Sequence, residues 1–232
     1  MKLEAIIFDC DGVLVDSERL LIESDIKFLA GIGLNFTKKD MFDKFVGTTF
    51  HQNLEIIKSE LDKIGLEMPE NLAEDISHLR KAALRDGLVA IKGAKDFVSK
   101  LNIKKAVASN TIHTSWLKEK MDKTELSTYF DPHIYAAESV EHGKPAPDLY
   151  LYAAEQLGVN PENCIVIEDS PTGASAGIAA GMHTVGFAGA DHVPDDHEHR
   201  LLSVGTKQVF TNFDDFSSYI EDLTDGDFRL AG

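Results

Sequence analysis

The sequence feature that most constrains the fold is a short apolar run, Leu3 to Phe8, which ends in Asp9-Cys10-Asp11-Gly12. An isoleucine-rich run bounded by charge is typical of a buried strand in a parallel sheet. Because side chains alternate along a strand, Asp9 and Asp11 are expected to point the same way at its carboxyl end. Ligands bind at that edge of open α/β sheets. Two neighbouring carboxylates there repel each other, and a bound divalent cation relieves the repulsion.

The rest of the chain shows two different hydrophobic patterns. Residues 16–87 carry helical periodicity and no strand pattern, whereas strands alternate with helices from Leu88 onward. This order predicts an α/β fold, a doubly wound parallel sheet formed by residues 1–15 and 88–232, with an inserted α-helical domain at 16–87. The insertion is expected to lie above the carboxyl edge of the sheet. Trp116 and the scattered phenylalanines are predicted to lie in the core.

Composition narrows the class of protein. The 232 residues carry a formal net charge of −16, which disfavours nucleic acid and anionic membrane surfaces as partners. It does not exclude an anionic substrate, because a cation and one lysine can reverse the local field. The two cysteines, Cys10 and Cys164, each lie in or beside an apolar run, as expected in a reducing compartment. With no leader and no long apolar run visible, the sequence predicts a cytoplasmic protein.

Three further polar segments follow predicted strands or lie in a loop of the core. They are Ser109-Asn110, Lys144 and Glu168-Asp169. The carboxyl ends of parallel strands meet at one edge, so these segments are expected to converge on Asp9 and Asp11. Each has an ordinary structural interpretation by itself: Ser109 can cap a helix, Lys144 can be a solvated loop lysine, and the acidic pair can decorate the surface.

Taken in order, these segments resemble the four motifs of the haloacid dehalogenase superfamily, in the branch that contains β-phosphoglucomutases and small sugar-phosphate phosphatases. The matching segments are Asp9 to Ser17, Ala108-Ser109-Asn110, Gly143 to Asp148, and Ile167 to Ser170 with Gly173 and Ala180-Gly181-Met182. The resemblance covers Leu3 to Asp16 and Leu88 to about Phe187. Over the helical insertion it is only architectural.

The resemblance implies a mechanism with named residues. Asp9 attacks a phosphate monoester of a small metabolite and forms an aspartyl-phosphate, while Asp11 protonates the leaving oxygen and later deprotonates water. Mg²⁺ is held by Asp9, Asp169 and the backbone carbonyl of Asp11, with Glu168 in support or bound through water. The transferring oxygens are bound by three residues: Ser109, Asn110 and Lys144.

The resemblance leaves two related activities open, phosphatase and phosphoglucomutase. The mutases carry a histidine, a Lys-Gly pair and an arginine in the helical cap, and the matching positions here are Leu21, Val46-Gly47 and Phe50. The absence of those three side chains favours hydrolysis. The stretch Phe8 to Glu18, with Met121 to Phe130, resembles the sugar-phosphate phosphatases that act on 6-phosphogluconate or similar compounds. Other cations of the insertion could replace the missing group: Lys44, Arg80 and Lys81.

Two other classes are weighed against this interpretation. A haloacid dehalogenase needs neither a metal nor a second aspartate, so Asp11 and Glu168-Asp169 argue against it. A receiver-type signalling domain also takes phosphate on an aspartate beside Mg²⁺, but it is shorter and its acceptor lies mid-chain.

Candidate substrate contacts in the insertion are Glu18, Gly47 and Thr48. The histidines between Asp191 and His199 are interpreted as part of a solvated loop and a helix start rather than a metal site.

Overall fold

A computed structural model of the chain describes residues 2–45, 50–190, 193–194, 196–224 and 230. The chain divides into two compact units. One, here called the core unit, consists of Met1–Asp16 with Val89–Gly232, and the other, the helical unit, consists of Ser17–Leu88.

The core unit is built on a six-stranded sheet in which every neighbouring pair is parallel. Its strands are β1 (Ala5–Phe8), β2 (Lys104–Ser109), β3 (Ile134–Ala136), β4 (Cys164–Glu168), β5 (His183–Phe187) and β6 (Val209–Phe210). Their order is β3-β2-β1-β4-β5-β6, which confirms the predicted doubly wound α/β fold. Phe8, the last residue of β1, pairs with Val107 on one side and Ile167 on the other. The chain segments that follow β1, β2 and β4 therefore leave the sheet at the same edge.

Helices account for most of the remaining described structure. Those of the helical unit are α1 (Ser17–Gly31), α2 (Lys38–Phe45), α3 (Phe50–Lys63) and α4 (Leu72–Gly87). Those of the core unit are α5 (Ala94–Lys100), α6 (Thr114–Lys123), α7 (Asp148–Leu157), α8 (Pro171–Ala179), α9 (His197–Ser203) and α10 (Phe213–Leu223). Across the described residues, no helix combines the length and the apolar character needed to cross a membrane.

The core unit buries apolar side chains around β1. Phe8 packs edge-to-face against Phe97 and Phe130, and Phe97 stacks on Phe213. These phenylalanines are buried as predicted. The prediction for Trp116 is wrong, because half of that residue is exposed. The buried positions of α6 are Leu117 and Met121, so the Trp116 ring lies on the outer face of the helix.

The helical unit has an apolar cluster of its own. The cluster comprises Ile22, Leu29, Leu34, Met41, Ile57, Leu61, Leu72 and Ile76. At its side, the Arg80 guanidinium donates from Nε to Asp25 Oδ1 at 2.9 Å and from Nη2 to Asp25 Oδ2 at 2.5 Å. The Lys44 ammonium lies 2.9 Å from Glu60 Oε1. Two of the three cations weighed as a second phosphate clamp are thus engaged with carboxylates of their own unit.

Candidate active site

The turn after β1 brings two acidic segments close together. The Asp9 amide donates to the carbonyl of Ile167 at 3.0 Å, which continues the pairing of β1 with β4. Gly12 then adopts φ +78°, and a Cβ at this position would lie 1.9 Å from Asp169 Oδ2. A side chain at residue 12 would therefore be strained and would also displace Asp169. The glycine allows the two strand ends to approach.

Three buried carboxylates form a compact cluster at this edge. One oxygen from each of Asp9, Glu168 and Asp169 lies within 4.8 Å of the others. Burial raises the pKa of Asp9 to about 8, and Glu168 acts in the same direction while Lys144 opposes it. A set of hard oxygen donors with excess negative charge fits a divalent cation such as Mg²⁺ or Ca²⁺.

Lys144 places a buried ammonium against this cluster. Its Nζ lies 2.5 Å from Asp9 Oδ1 and 2.7 Å from Glu168 Oε1, and 3% of the side chain is exposed. The same Nζ lies 4.6 Å from the centroid of the Tyr150 ring. Although burial alone would lower it, the two carboxylates raise the pKa of Lys144 well above its usual value. The ammonium is therefore protonated.

Both oxygens of Glu168 accept hydrogen bonds from the protein. Oε1 accepts from Lys144 and from the Tyr150 hydroxyl at 2.9 Å, while Oε2 accepts from the amide and hydroxyl of Ser170 at 2.9 and 3.0 Å. Ser170 also caps α8, because its hydroxyl accepts from the Gly173 amide at 3.0 Å. These contacts fix Glu168 in one orientation.

Gly173 is predicted to be intolerant of any side chain. A Cβ there would lie 1.6 Å from Glu168 Oε1, so Gly173→Ala is expected to lower the free energy of unfolding by about 1–3 kcal/mol through overpacking. Urea unfolding followed by circular dichroism measures the loss. Gly31→Ala in α1 is the matched control, because a Cβ at residue 31 meets nothing within 4 Å. Equal stability of the two variants would contradict the geometry.

The carboxyl end of β2 contributes Ser109 and Asn110. The Asn110 carboxamide is bonded at both ends to the backbone of Lys144: Nδ2 donates to its carbonyl and Oδ1 accepts from its amide, each at 2.9 Å. The Ser109 hydroxyl accepts from the Thr111 amide at 3.1 Å and lies 3.1 Å from Thr111 Oγ1. Asn110 thus ties the Lys144 loop to the end of β2.

Asp11 lies beside a different lysine. Lys120 Nζ, from α6, lies 2.7 Å from Asp11 Oδ1 and 2.8 Å from Oδ2. Burial alone would lower the pKa of Lys120, but the neighbouring Asp11 carboxylate raises it above its usual value. The carboxylate of Asp11 is not part of the compact acidic cluster formed by Asp9, Glu168 and Asp169.

Most of the predicted site residues come together in the core unit. The structure groups Asp9, Glu168 and Asp169 in one acidic cluster. The buried Lys144 ammonium contacts Asp9 and Glu168, and Asn110 is bonded to the Lys144 loop. Glu18 lies in the first turn of α1, in the helical unit. The other two candidate contacts, Gly47 and Thr48, fall outside the described residues.

Sequence reasoning missed two side chains that contact predicted site residues: Tyr150, which contacts Glu168, and Lys120, which contacts Asp11. Tyr150 is fully buried on an apolar helix, and its only signal is that a buried phenol needs a hydrogen-bond partner. The sequence gives no indication that Lys120 contacts Asp11, because it is one of several lysines on a largely polar helix.

Comparison with known proteins identifies the family. The family model for haloacid dehalogenase-like hydrolases matches residues 6–187. The chain therefore belongs to the haloacid dehalogenase-like hydrolase family, which confirms the predicted resemblance and the prediction of a hydrolase.

Individual relatives of similar length are also found. The chain is 31% identical over 192 residues to 6-phosphogluconate phosphatase of Escherichia coli K12, covering 82% of this chain and 85% of the other. It is 32% identical over 185 residues to a phosphorylated carbohydrates phosphatase of Thermotoga maritima, covering 79% and 84%. A crystal structure of a family hydrolase from Deinococcus radiodurans R1 with bound phosphate and sodium has a TM-score of 0.87 and 32% identity, covering 96% and 97%.

Proposed function

We propose that this protein is a Mg²⁺-dependent phosphatase that hydrolyses a small phosphorylated sugar or sugar acid through an aspartyl-phosphate on Asp9. The observation that carries the proposal is the buried ammonium of Lys144, placed between Asp9 and Glu168. A fixed positive charge beside a carboxylate nucleophile suits the oxygens of a phosphate ester. Family membership and the two phosphatases described above support the same class of reaction, phosphomonoester hydrolysis.

The donors at this edge fit Mg²⁺, with Asp9, Asp169 and the backbone carbonyl of Asp11 as the residues that would hold it. Glu168 would support these ligands rather than bind the ion directly, since both of its oxygens already accept hydrogen bonds from the protein. A bound Mg²⁺ supplies positive charge that reduces the repulsion between the Asp9 carboxylate and the phosphoryl oxygens.

The reaction has two steps, and Asp9 and Asp11 act in both. In the first, an Asp9 oxygen bonds to phosphorus while the bond from phosphorus to the ester oxygen breaks, and that oxygen takes a proton from Asp11. In the second, water attacks the phosphorus of the aspartyl-phosphate and gives a proton to Asp11, while the Asp9 oxygen leaves. Inorganic phosphate and the free carboxylate of Asp9 are restored.

Lys144 and Ser109 bind the oxygens of the transferring group. The Lys144 ammonium offers a third donor after its contacts with Asp9 and Glu168. The Ser109 hydroxyl hydrogen can point toward the substrate, because a hydroxyl rotates to suit its partner. Asn110 contributes through its carboxamide, which fixes the backbone of Lys144.

Phosphoglucomutase is the second candidate, and two of the three cations weighed for it in the helical unit argue against it. A mutase must hold a bisphosphate intermediate, which requires a cation for the second phosphate. Arg80 is committed to Asp25 in a bidentate pair and Lys44 to Glu60. Hydrolysis needs no such second clamp.

A turnover screen over 6-phosphogluconate, other phosphorylated sugar acids, fructose 1-phosphate and hexitol phosphates tests the proposal. Free phosphate is recorded with Mg²⁺ and with EDTA, and β-glucose 1-phosphate is followed for conversion to glucose 6-phosphate. We expect phosphate release from one or a few of these esters, lost in EDTA and restored by excess Mg²⁺. Isomerisation without phosphate release would establish the mutase instead, and release of no phosphate from any ester would contradict the proposal.

A further inference from the structure

Lys120 stands apart from the other lysines of its helix. Lys118 and Lys123 reach outward to half-exposed or exposed acids, pairing with Asp131 at 2.9 Å and Glu119 at 2.8 Å. Lys120 turns inward instead, and 19% of its side chain is exposed. It lies outside all four sequence segments that define the site.

The Lys120 ammonium contacts both oxygens of one carboxylate. Nζ lies 2.7 Å from Asp11 Oδ1 and 2.8 Å from Asp11 Oδ2, so a single donor group fixes the direction of the carboxylate. Asp11 has 28% of its side chain exposed. It also directly precedes the turn at Gly12, where the chain leaves β1.

The contact continues to the phosphate-binding end of β2. Lys120 Nζ lies 3.3 Å from Thr111 Oγ1, and the Thr111 hydroxyl lies 3.1 Å from the Ser109 hydroxyl. The carboxylate of Asp11 and the hydroxyl of Ser109 are therefore held in one hydrogen-bonded series.

We propose that Lys120 is a positioning residue that holds the Asp11 carboxylate in reach of the leaving oxygen of the substrate. One Asp11 oxygen exchanges its contact with Lys120 for the leaving oxygen, while the other remains bound to the ammonium. The inference rests on the proposed function, in which Asp11 protonates that oxygen. A misplaced acid slows only a step in which a proton is transferred.

Leaving-group dependence tests this role. An alkyl phosphate such as 6-phosphogluconate needs a proton on its leaving oxygen, whereas p-nitrophenyl phosphate releases a stable anion without one. For Lys120→Met, we expect kcat/KM to fall about 100-fold with 6-phosphogluconate and at most about threefold with p-nitrophenyl phosphate. Lys120→Arg, which keeps a charged donor, is expected to recover most of the loss. Lys123→Met, three residues along the same helix, is the matched control and should change neither value.

A double variant connects the effect to Asp11. In an Asp11→Asn background, Lys120→Met should lower kcat/KM for 6-phosphogluconate by no more than about twofold, because the two residues act in one step. Equal losses with both substrates, or an undiminished effect in the Asp11→Asn background, would overturn the role of Lys120. A wild-type protein that releases phosphate from none of the esters of the turnover screen with Mg²⁺ would instead refute the proposed function itself.

Discussion

Asp9→Asn is expected to abolish phosphate release while leaving the fold intact. The substitution removes the nucleophilic oxygen, and we expect kcat to fall at least about 10⁴-fold. Asparagine has the same shape, and its carboxamide oxygen can still accept from Lys144 Nζ, which lies 2.5 Å from Asp9 Oδ1. The melting temperature should therefore change by no more than a few degrees. Phosphate release and a circular dichroism melt, both recorded with Mg²⁺, measure the two effects.

Asp96→Asn provides the control for Asp9→Asn. Asp96 is an exposed aspartate of α5 that pairs with Lys100 at 2.9 Å, away from the acidic cluster. Its replacement should leave phosphate release unchanged. Robust hydrolysis by the Asp9→Asn variant would eliminate Asp9 as the nucleophile.

Lys144→Met is expected to have the largest combined effect on stability and activity. The substitution leaves Asp9 and Glu168 buried without the ammonium that both contact. Breaking a buried ion pair by removing one partner lowers the free energy of unfolding by about 3–5 kcal/mol. Phosphate release should fall as well, because the transferring oxygens lose a fixed positive charge. Urea unfolding and a turnover assay measure the two losses.

A surface lysine separates this effect from a general loss of charge. Lys95 pairs with Glu125, and both side chains are largely exposed. Lys95→Met is therefore expected to change the free energy of unfolding by less than about 0.5 kcal/mol. If Lys144→Met were as stable and as active as Lys95→Met, the buried ammonium would have neither of the roles given to it.

The sequence predicts the arrangement of the sheet well, because the strands around the site are continuous apolar runs. β1 and β4 are buried along their whole lengths. Asp9 directly follows β1, while Glu168 ends β4 and Asp169 follows it. Asp9 and Glu168 meet at one edge of the sheet because parallel strands end on the same side, and Lys144 reaches them from the loop between β3 and α7. The hydrophobic pattern of the chain therefore predicts that these residues lie together before any side-chain contact is known.

The contacts around those residues could not be predicted in the same way. Whether Lys120 faces solvent or Asp11 depends on how α6 is rotated against the sheet, and its polar sequence does not determine that rotation. The exposure of Trp116 has the same cause. The bond between the Asn110 carboxamide and the Lys144 backbone could not be predicted either, because it joins loops that are distant in the sequence.

The most direct test of the account is to locate the phosphoryl group during turnover. The protein is mixed with 6-phosphogluconate and Mg²⁺, quenched in acid within one turnover, and reduced with borohydride, which converts an aspartyl-phosphate to homoserine. Peptide mass spectrometry then reads the modified position. We predict homoserine at residue 9, absent from a sample without substrate and from the Asp9→Asn variant. Phosphate release with no modified aspartate, or with the modification at another residue, would contradict catalysis through an Asp9 phosphoenzyme.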